Sequence, residues 1–267
     1  MLITSKDNST IKEIKKLKEK KYRKEKFLVE GIKMVKEAIQ ENADIELIVL
    51  REGTKLDIYN DNDNKRKELK FNTIEVSEKV FNELTDVVAP QGVLAVIKKK
   101  NNNQAEKNIS ESIDYNADYI LALDGIQDPG NLGTILRTAD SANLKQILVS
   151  KDTVDAFSPK VIRSTMGAIY RINVIEVDNL SEVLKETKKN GFEIVTTDLQ
   201  TDKSIYDINY NKKVVVIGNE ANGVTKEVKE VADYKVKIPM LGKTESLNAS
   251  VAAGIMIYEY VRTKLNK

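Results

Sequence analysis

Short runs of aliphatic, mostly β-branched residues alternate with stretches of helical period along this 267-residue chain. They do so in two series separated by a polar gap. That alternation constrains the fold most. A strand–helix–strand series buries one stripe of each helix against a sheet and yields an α/β architecture. The first series predicts a helix over 8–20 with Ile11, Ile14 and Leu17 on one face and Ser9 or Asn8 as its cap. It continues with strands at Phe27–Val29, Ile45–Leu50, Thr73–Val76 and Val93–Ile97, and helices at Ile32–Gln40 and Glu78–Leu84. Residues Asp57–Lys70 are polar and read as loop plus a weak helix. The gap, Lys98–Ser112, is asparagine-rich and without apolar periodicity, so it reads as a linker. The expected domains are 1–98 and 118–267, joined by 99–117.

The second series is stronger. Strands are expected at Tyr119–Leu123, Gln146–Val149, Val174–Val177, Glu193–Thr197, Val214–Ile217 and Val236–Ile238. Helices are expected at Asn131–Ser141, Pro159–Ala168, Ser181–Asn190 and Ser246–Leu265. The four-residue run Val214–Ile217 reads as a buried central strand. Such alternation implies a mostly parallel sheet that takes ligands at the carboxyl ends of its strands.

Two absences narrow the chemistry. The chain has no cysteine and no histidine. Disulfides, thiolate nucleophiles, Ser-His-Asp triads and His- or Cys-ligated metals are therefore excluded. A general base has to be a carboxylate, Lys, Tyr, Arg or water. No metal site is expected, although a carboxylate-only one is possible in principle. No apolar run reaches a membrane span and the N-terminus lacks a signal-peptide core, so a cytoplasmic protein is expected. The net charge of +2 hides an asymmetry: residues 1–26 hold ten Lys/Arg against four acids. Lys12, Lys15, Lys16, Lys20 and Arg23 are candidates for phosphate contact, although such a segment also reads as an ordinary solvated helix.

Three segments are dense in Gly, Asn and single charges, each beyond an expected strand: Leu123–Asn143, Val214–Val224 and Lys237–Tyr260. In the first, Asn131 is expected to cap a helix that carries Arg137. In the second, a buried strand runs into Gly218, Asn219, Glu220 and Gly223. In the third, Ser246 and Asn248 open a helix rich in small residues. Alone, each also reads as an ordinary turn and capped helix. Gly242-Lys243-Thr244 ends like a phosphate-binding loop, but that motif needs glycine where Lys237 stands.

Together and in this order the segments resemble motifs 1, 2 and 3 of the SpoU (TrmH) family of RNA ribose 2′-O-methyltransferases. Asn131, Gly133, Arg137, Thr138 and Ala139 match the first motif. Gly218, Asn219, Glu220 and Gly223 match the second. Ile238, Pro239, Met240, Ser246, Leu247, Asn248 and Ser250 match the third. Ser164–Ala168 also resembles a family segment. More loosely, Phe27–Gly31 resembles the start of the family's L30e-like RNA-binding domain. Ala221 and Thr244 depart from common family residues, and neither touches a proposed catalytic group.

The resemblance implies a C-terminal trefoil-knotted α/β methyltransferase domain of SPOUT type behind a small α/β L30e-like domain. It implies S-adenosylmethionine bound through Gly218, Ile238, Leu247 and Asn248, with Thr197 as a further candidate, and a homodimer joined through the catalytic domain. It implies catalysis by Arg137 with Asn131, Glu220, Ser246 and Asn248, Glu220 being the expected partner of Arg137. Arginine stays protonated, so it suits stabilisation of a developing alkoxide better than proton abstraction. Ribosomal RNA of the large subunit is the expected substrate. A transfer-RNA methyltransferase of the same family, or a non-catalytic RNA-binding or ribosome-assembly protein, are the alternatives.

Overall fold

The computed structural model describes residues 2–56, 71–99 and 109–266; the segments read as loop at 57–70 and as linker at 100–108 lie outside them. Contacts divide the chain into two compact units, Met1–Asn102 with Phe157–Tyr170, and Asn103–Ala156 with Arg171–Lys267.

The first unit is a five-stranded mixed sheet of order β1-β4-β3-β5-β2, with β1 Leu2–Ile3, β2 Lys26–Glu30, β3 Ile45–Arg51, β4 Thr73–Val76 and β5 Val93–Lys98. Strands β1, β4 and β3 are parallel, and β5 runs antiparallel to both β3 and β2. Side chains alternate across a strand, so each strand feeds two faces. One face takes Leu28, Val49, Val76, Leu94 and Val96. It is covered by α1 (Ser9–Lys16) and α3 (Glu78–Leu84) through Ile11, Ile14, Val80, Phe81 and Leu84. Helix α1 is shorter than expected: it ends at Lys16, and a 3-10 turn follows at Lys20–Tyr22. Its cap is Asn8, whose side chain accepts from Thr10 and Ile11. Helix α2 (Ile32–Gln40) packs on β2 and β5.

Phe157–Tyr170, which the expected boundaries give to the second domain, groups with this first unit. Helix α5 (Pro159–Thr165) packs on β2, the Phe27 and Phe157 rings lie 4.9 Å apart, and the Tyr170 hydroxyl donates to the Met34 carbonyl at 3.1 Å. The helix expected to run to Ala168 stops at Thr165 because Met166 turns left-handed at φ 51°.

The second unit is a six-stranded, wholly parallel sheet. Its strands are β6 Tyr119–Asp124, β7 Gln146–Ser150, β8 Asn173–Val177, β9 Glu193–Thr197, β10 Lys213–Gly218 and β11 Tyr234–Val236. Their order is β11-β9-β10-β6-β7-β8, so the Val214–Ile217 run is central, as expected. Helices α6 (Leu180–Lys189) and α7 (Lys226–Val231), the second not expected, go with a core of Ile120, Ala122, Leu148, Ile194, Val214 and Val216. Helices α4 (Pro129–Ser141) and α8 (Ala249–Leu265) pack on each other. Two boundaries moved. Strand β11 ends at Val236, leaving Ile238 beyond it, and α8 begins three residues after Ser246. The linker expected to reach residue 117 ends sooner, because Ile113 and Tyr115 pack into the core and Asp114 exchanges two hydrogen bonds with the Gln146 side chain. No helix among the described residues is long and apolar enough to cross a membrane.

Candidate active site

The second sheet reverses its strand order between β6 and β10. From β6 the chain proceeds to β7 and β8 on one side, while β9, β10 and β11 build the other. Loops leaving two such strands diverge and open a crevice at their carboxyl ends. Asp124 and Gly218, the last residues of β6 and β10, are paired in register, so both loops leave from one level.

After β6 the chain turns through Gly125, whose N–H donates to Ser150 Oγ at 2.9 Å, and enters α4. Asp128, not the expected Asn131, caps this helix: its Oδ1 accepts from the Asn131 N–H at 2.8 Å, and Pro129 fills the first position. Relieved of capping, Asn131 turns its side chain outward in the first turn. It donates to Glu220 Oε1 at 2.9 Å and accepts from Asn248 Nδ2 at 3.0 Å. Asn248 Oδ1 in turn caps α8, accepting from the Ser250 and Val251 N–H groups and from the Ser250 hydroxyl. One hydrogen-bonded line thus joins the three segments singled out in the sequence.

The loop after β10 is tight. Asn219 and Gly223 exchange backbone bonds of 3.0 and 2.9 Å, and the Asn219 side chain donates to the Gly125 carbonyl at 2.7 Å. The returning chain passes so close to Gly218 that a Cβ there would lie 2.2 Å from Gly223 C and Val224 N. Gly223 itself is left-handed, at φ +69°. Glu220, at the loop tip, also accepts from the Gln127 and Asp128 N–H groups at the start of α4. A helix N-terminus favours an anion there. Burial pushes the Glu220 carboxyl up, but the bonds from Asn131 and from the backbone of Glu220, Gln127 and Asp128 outweigh it and hold the group below its ordinary 4.5. The carboxylate contribution is therefore complete above pH 4.5 and fades as pH falls through the lowered value.

Arg137 lies apart from this line. It is exposed on α4, nearly two turns beyond Asn131, and makes no hydrogen bond or ion pair to the described residues. The expected Glu220–Arg137 pair does not form among the described residues, because Glu220 is held at the start of α4, nearly two helical turns from Arg137. Ser246 is exposed two residues before the α8 cap, and its side chain makes no hydrogen bond to the described residues.

Thr197 and Gly218 end the neighbouring strands β9 and β10, and Ile238 follows β11, all along one sheet edge. Thr197 is half-buried, its hydroxyl 3.4 Å from the Val216 carbonyl. Between Ile238 and Leu247 no backbone–backbone bond ties the chain to the described residues. A run of free N–H and C=O groups beside apolar Ile238 and Leu247 is a donor set suited to the edge and face of a purine. The residues present therefore fit an adenosine-bearing cofactor.

In the first unit Lys12, Lys15 and Lys16 are exposed and paired with Asp7, Glu83 and Glu13 at 3.0, 2.5 and 2.6 Å. Exposed pairs of this kind are weak and exchange readily for phosphate. Lys20 lies in the 3-10 turn. Arg23, expected on the basic surface, is 5% exposed and donates to the Leu17 carbonyl at 2.8 Å, so it holds the end of α1 in place. Asp124, Gln127, Asp128 and Thr225 were not singled out by sequence; only the Asp-Pro pair at the start of α4 carried a local signal.

The SpoU rRNA Methylase family matches residues 118–258, more than half of the chain. The chain belongs to that family. An MRM3-like substrate binding domain matches residues 8–95. The Bacillus subtilis (strain 168) 23S rRNA (guanosine(2553)-2′-O)-methyltransferase RlmP is 32% identical over 259 residues, covering 96% of this chain and 97% of that protein. A Staphylococcus epidermidis protein named for the TrmH family of tRNA/rRNA methyltransferases is 34% identical over 245 residues, covering 90% and 97%. Among solved structures, the AdoMet-bound rRNA methyltransferase from Sinorhizobium meliloti superposes with a TM-score of 0.81 at 29% identity, over 98% of this chain and 97% of that one. The line Glu220–Asn131–Asn248 lies wholly within the stretch that the family covers.

Proposed function

We propose that the chain transfers the methyl group of S-adenosylmethionine to a ribose 2′-hydroxyl of large-subunit ribosomal RNA. The observation that carries this reading is the hydrogen-bonded line from Glu220 through Asn131 to Asn248 at the sheet's switch point. Full-length similarity to a 23S rRNA 2′-O-methyltransferase supports it.

When bound, the cofactor supplies an electrophilic methyl at its sulfonium. The loop at Gly218, the free backbone from Ile238 to Leu247, and Thr197 and Asn248 form its seat. The protein's task is to orient the ribose oxygen and lower the cost of its developing charge. Arg137 is exposed and has no acid partner among the described residues, so its guanidinium is available to donate to that oxygen. Asn131, Ser246 and Asn248 position the ribose, and Glu220 acts by fixing Asn131 rather than Arg137. Residues 1–98 grip RNA phosphates through Lys12, Lys15, Lys16 and Lys20, and the stretch 118–267 carries the chemistry. The family likeness supports a trefoil knot in that stretch, a homodimer and a cytoplasmic location. Val251, Tyr258 and Leu265, 50%, 50% and 80% exposed along α8, support the dimer.

The test is incubation with tritiated S-adenosylmethionine and unmodified ribosomal or transfer RNA. Label in 23S RNA at one alkali-resistant position is the expected result, and Arg137→Ala lowers the rate about a hundredfold or more with cofactor binding retained. Label in transfer RNA alone overturns the substrate. No label and no cofactor binding overturn the enzyme and leave an RNA-binding protein.

A further inference from the structure

Asp124 ends β6 beside Gly218 of β10, with its side chain in the interior, 5% exposed. Its Oδ2 accepts from both the N–H and the hydroxyl of Thr225, each at 2.7 Å. Thr225 is the N-cap residue of α7, where a threonine oxygen ordinarily accepts from the helix's own free N–H groups. Here it makes no such bond and gives its hydroxyl to Asp124 instead. The helix forgoes its cap, and the end of the 218–225 loop is tied to the strand that starts the site. At the other end of the same loop Asn219 donates to the carbonyl of Gly125, the residue after Asp124. Both ends of the loop are therefore anchored on residues 124–125, and Glu220 at its tip meets the start of α4.

We infer that Asp124 is a positioning residue for the cofactor loop, acting through Thr225. A carboxylate accepting two bonds from one residue resists rotation of that residue more than a single contact does. Released from Asp124, Thr225 returns to capping α7, the loop loses one anchor, and the backbone at Gly218 and Gly223 no longer holds one shape. The inference rests on this loop being part of the cofactor seat, as proposed above.

The experiment compares Asp124→Ala, Thr225→Val and Thr225→Ser in the full chain. Calorimetric affinity for S-adenosylmethionine is the first readout. Amide exchange at Gly223 and Thr225 without cofactor is the second, and separate KM and kcat values are the third. Asp124→Ala is expected to weaken cofactor binding about tenfold and Thr225→Val about threefold, with Thr225→Ser within about twofold of wild type. KM for the cofactor rises while kcat changes little, and both amides exchange faster. Adding Thr225→Val to Asp124→Ala weakens binding no further, because the two act through one contact. Thr225 is exposed, so its variants keep the test decisive if Asp124→Ala does not fold. Wild-type affinity and exchange in Thr225→Val, or additive losses in the double variant, overturn the inference. Wild-type protein that binds no cofactor overturns both this inference and the function on which it rests.

Discussion

A methyl group at Gly218 would meet the backbone of Gly223 and Val224 at 2.2 Å, and backbone cannot rotate away as a side chain can. Gly218→Ala is expected to lower stability by about 1–3 kcal/mol and to weaken cofactor binding, read by thermal melting and calorimetry. An unchanged melting temperature would show that the loop yields freely. At this scale part of the candidate site was legible. Asn131, Glu220, Asn248 and Gly218 were singled out in Gly- and Asn-rich segments and by the resemblance of those segments to the family motifs, and the structure brings the first three into one line. The cap of α4 and the partner of Glu220 were not legible. Asp128 and Asn131 are both good capping residues, and only the helix start at Pro129 decides between them. Glu220 lies 89 residues from Asn131 in sequence, and no local rule couples two such positions.

Helix α8 is apolar around most of its circumference. Ala249, Ala253, Met256, Ile257 and Tyr260 are buried, whereas Val251, Tyr258 and Leu265 face outward. The small residues explain the close approach to α4, where Gly254 lies with Thr138 Cγ2 3.8 Å from the position of an added Cβ. Of the outward stripe, Tyr258 also meets α4 through its hydroxyl, 3.1 Å from Ser141 Oγ, whereas Val251 and Leu265 are left exposed. Val251→Glu with Tyr258→Glu is therefore expected to convert the proposed dimer to a folded monomer in light scattering, with far-UV dichroism retained. Dimers persisting in the double variant would place the interface elsewhere. Most strands were legible within a residue or two because β-branched runs in a parallel sheet are continuous. Helix ends were less so: α5 stops where Met166 turns left-handed, and α8 starts at its Asn248 cap rather than at Ser246.

The grouping of Phe157–Tyr170 with the first unit changes what a stable fragment has to contain. Val161 and Ile162 are buried, the Tyr170 hydroxyl reaches the Met34 carbonyl, and Phe157 packs on Phe27. A fragment of residues 1–99 loses these contacts. It is expected to melt several degrees lower than the same fragment joined by a flexible linker to residues 157–170, since each buried aliphatic side chain contributes about 1.5–3 kcal/mol. Equal melting temperatures would show that the segment adds nothing to that unit. Nothing in the sequence marks this assignment, because the segment continues the strand–helix rhythm of the second series without a break.

By itself the sequence determined the α/β class, the two series, the absence of histidine and cysteine chemistry, and the three segments that carry the candidate site. These follow from local periodicity, composition and residue order, which need no knowledge of distant contacts. Only the tertiary structure decided that Glu220 holds Asn131 rather than Arg137, that Arg23 is buried, that Asp124 anchors the loop after β10, and that α5 packs on β2. The Glu220 and Asp124 contacts turn on strand order in the parallel sheet, which is set through crossovers that local sequence does not encode, whereas the burial of Arg23 and the packing of α5 turn on how segments of the first unit fold back on one another.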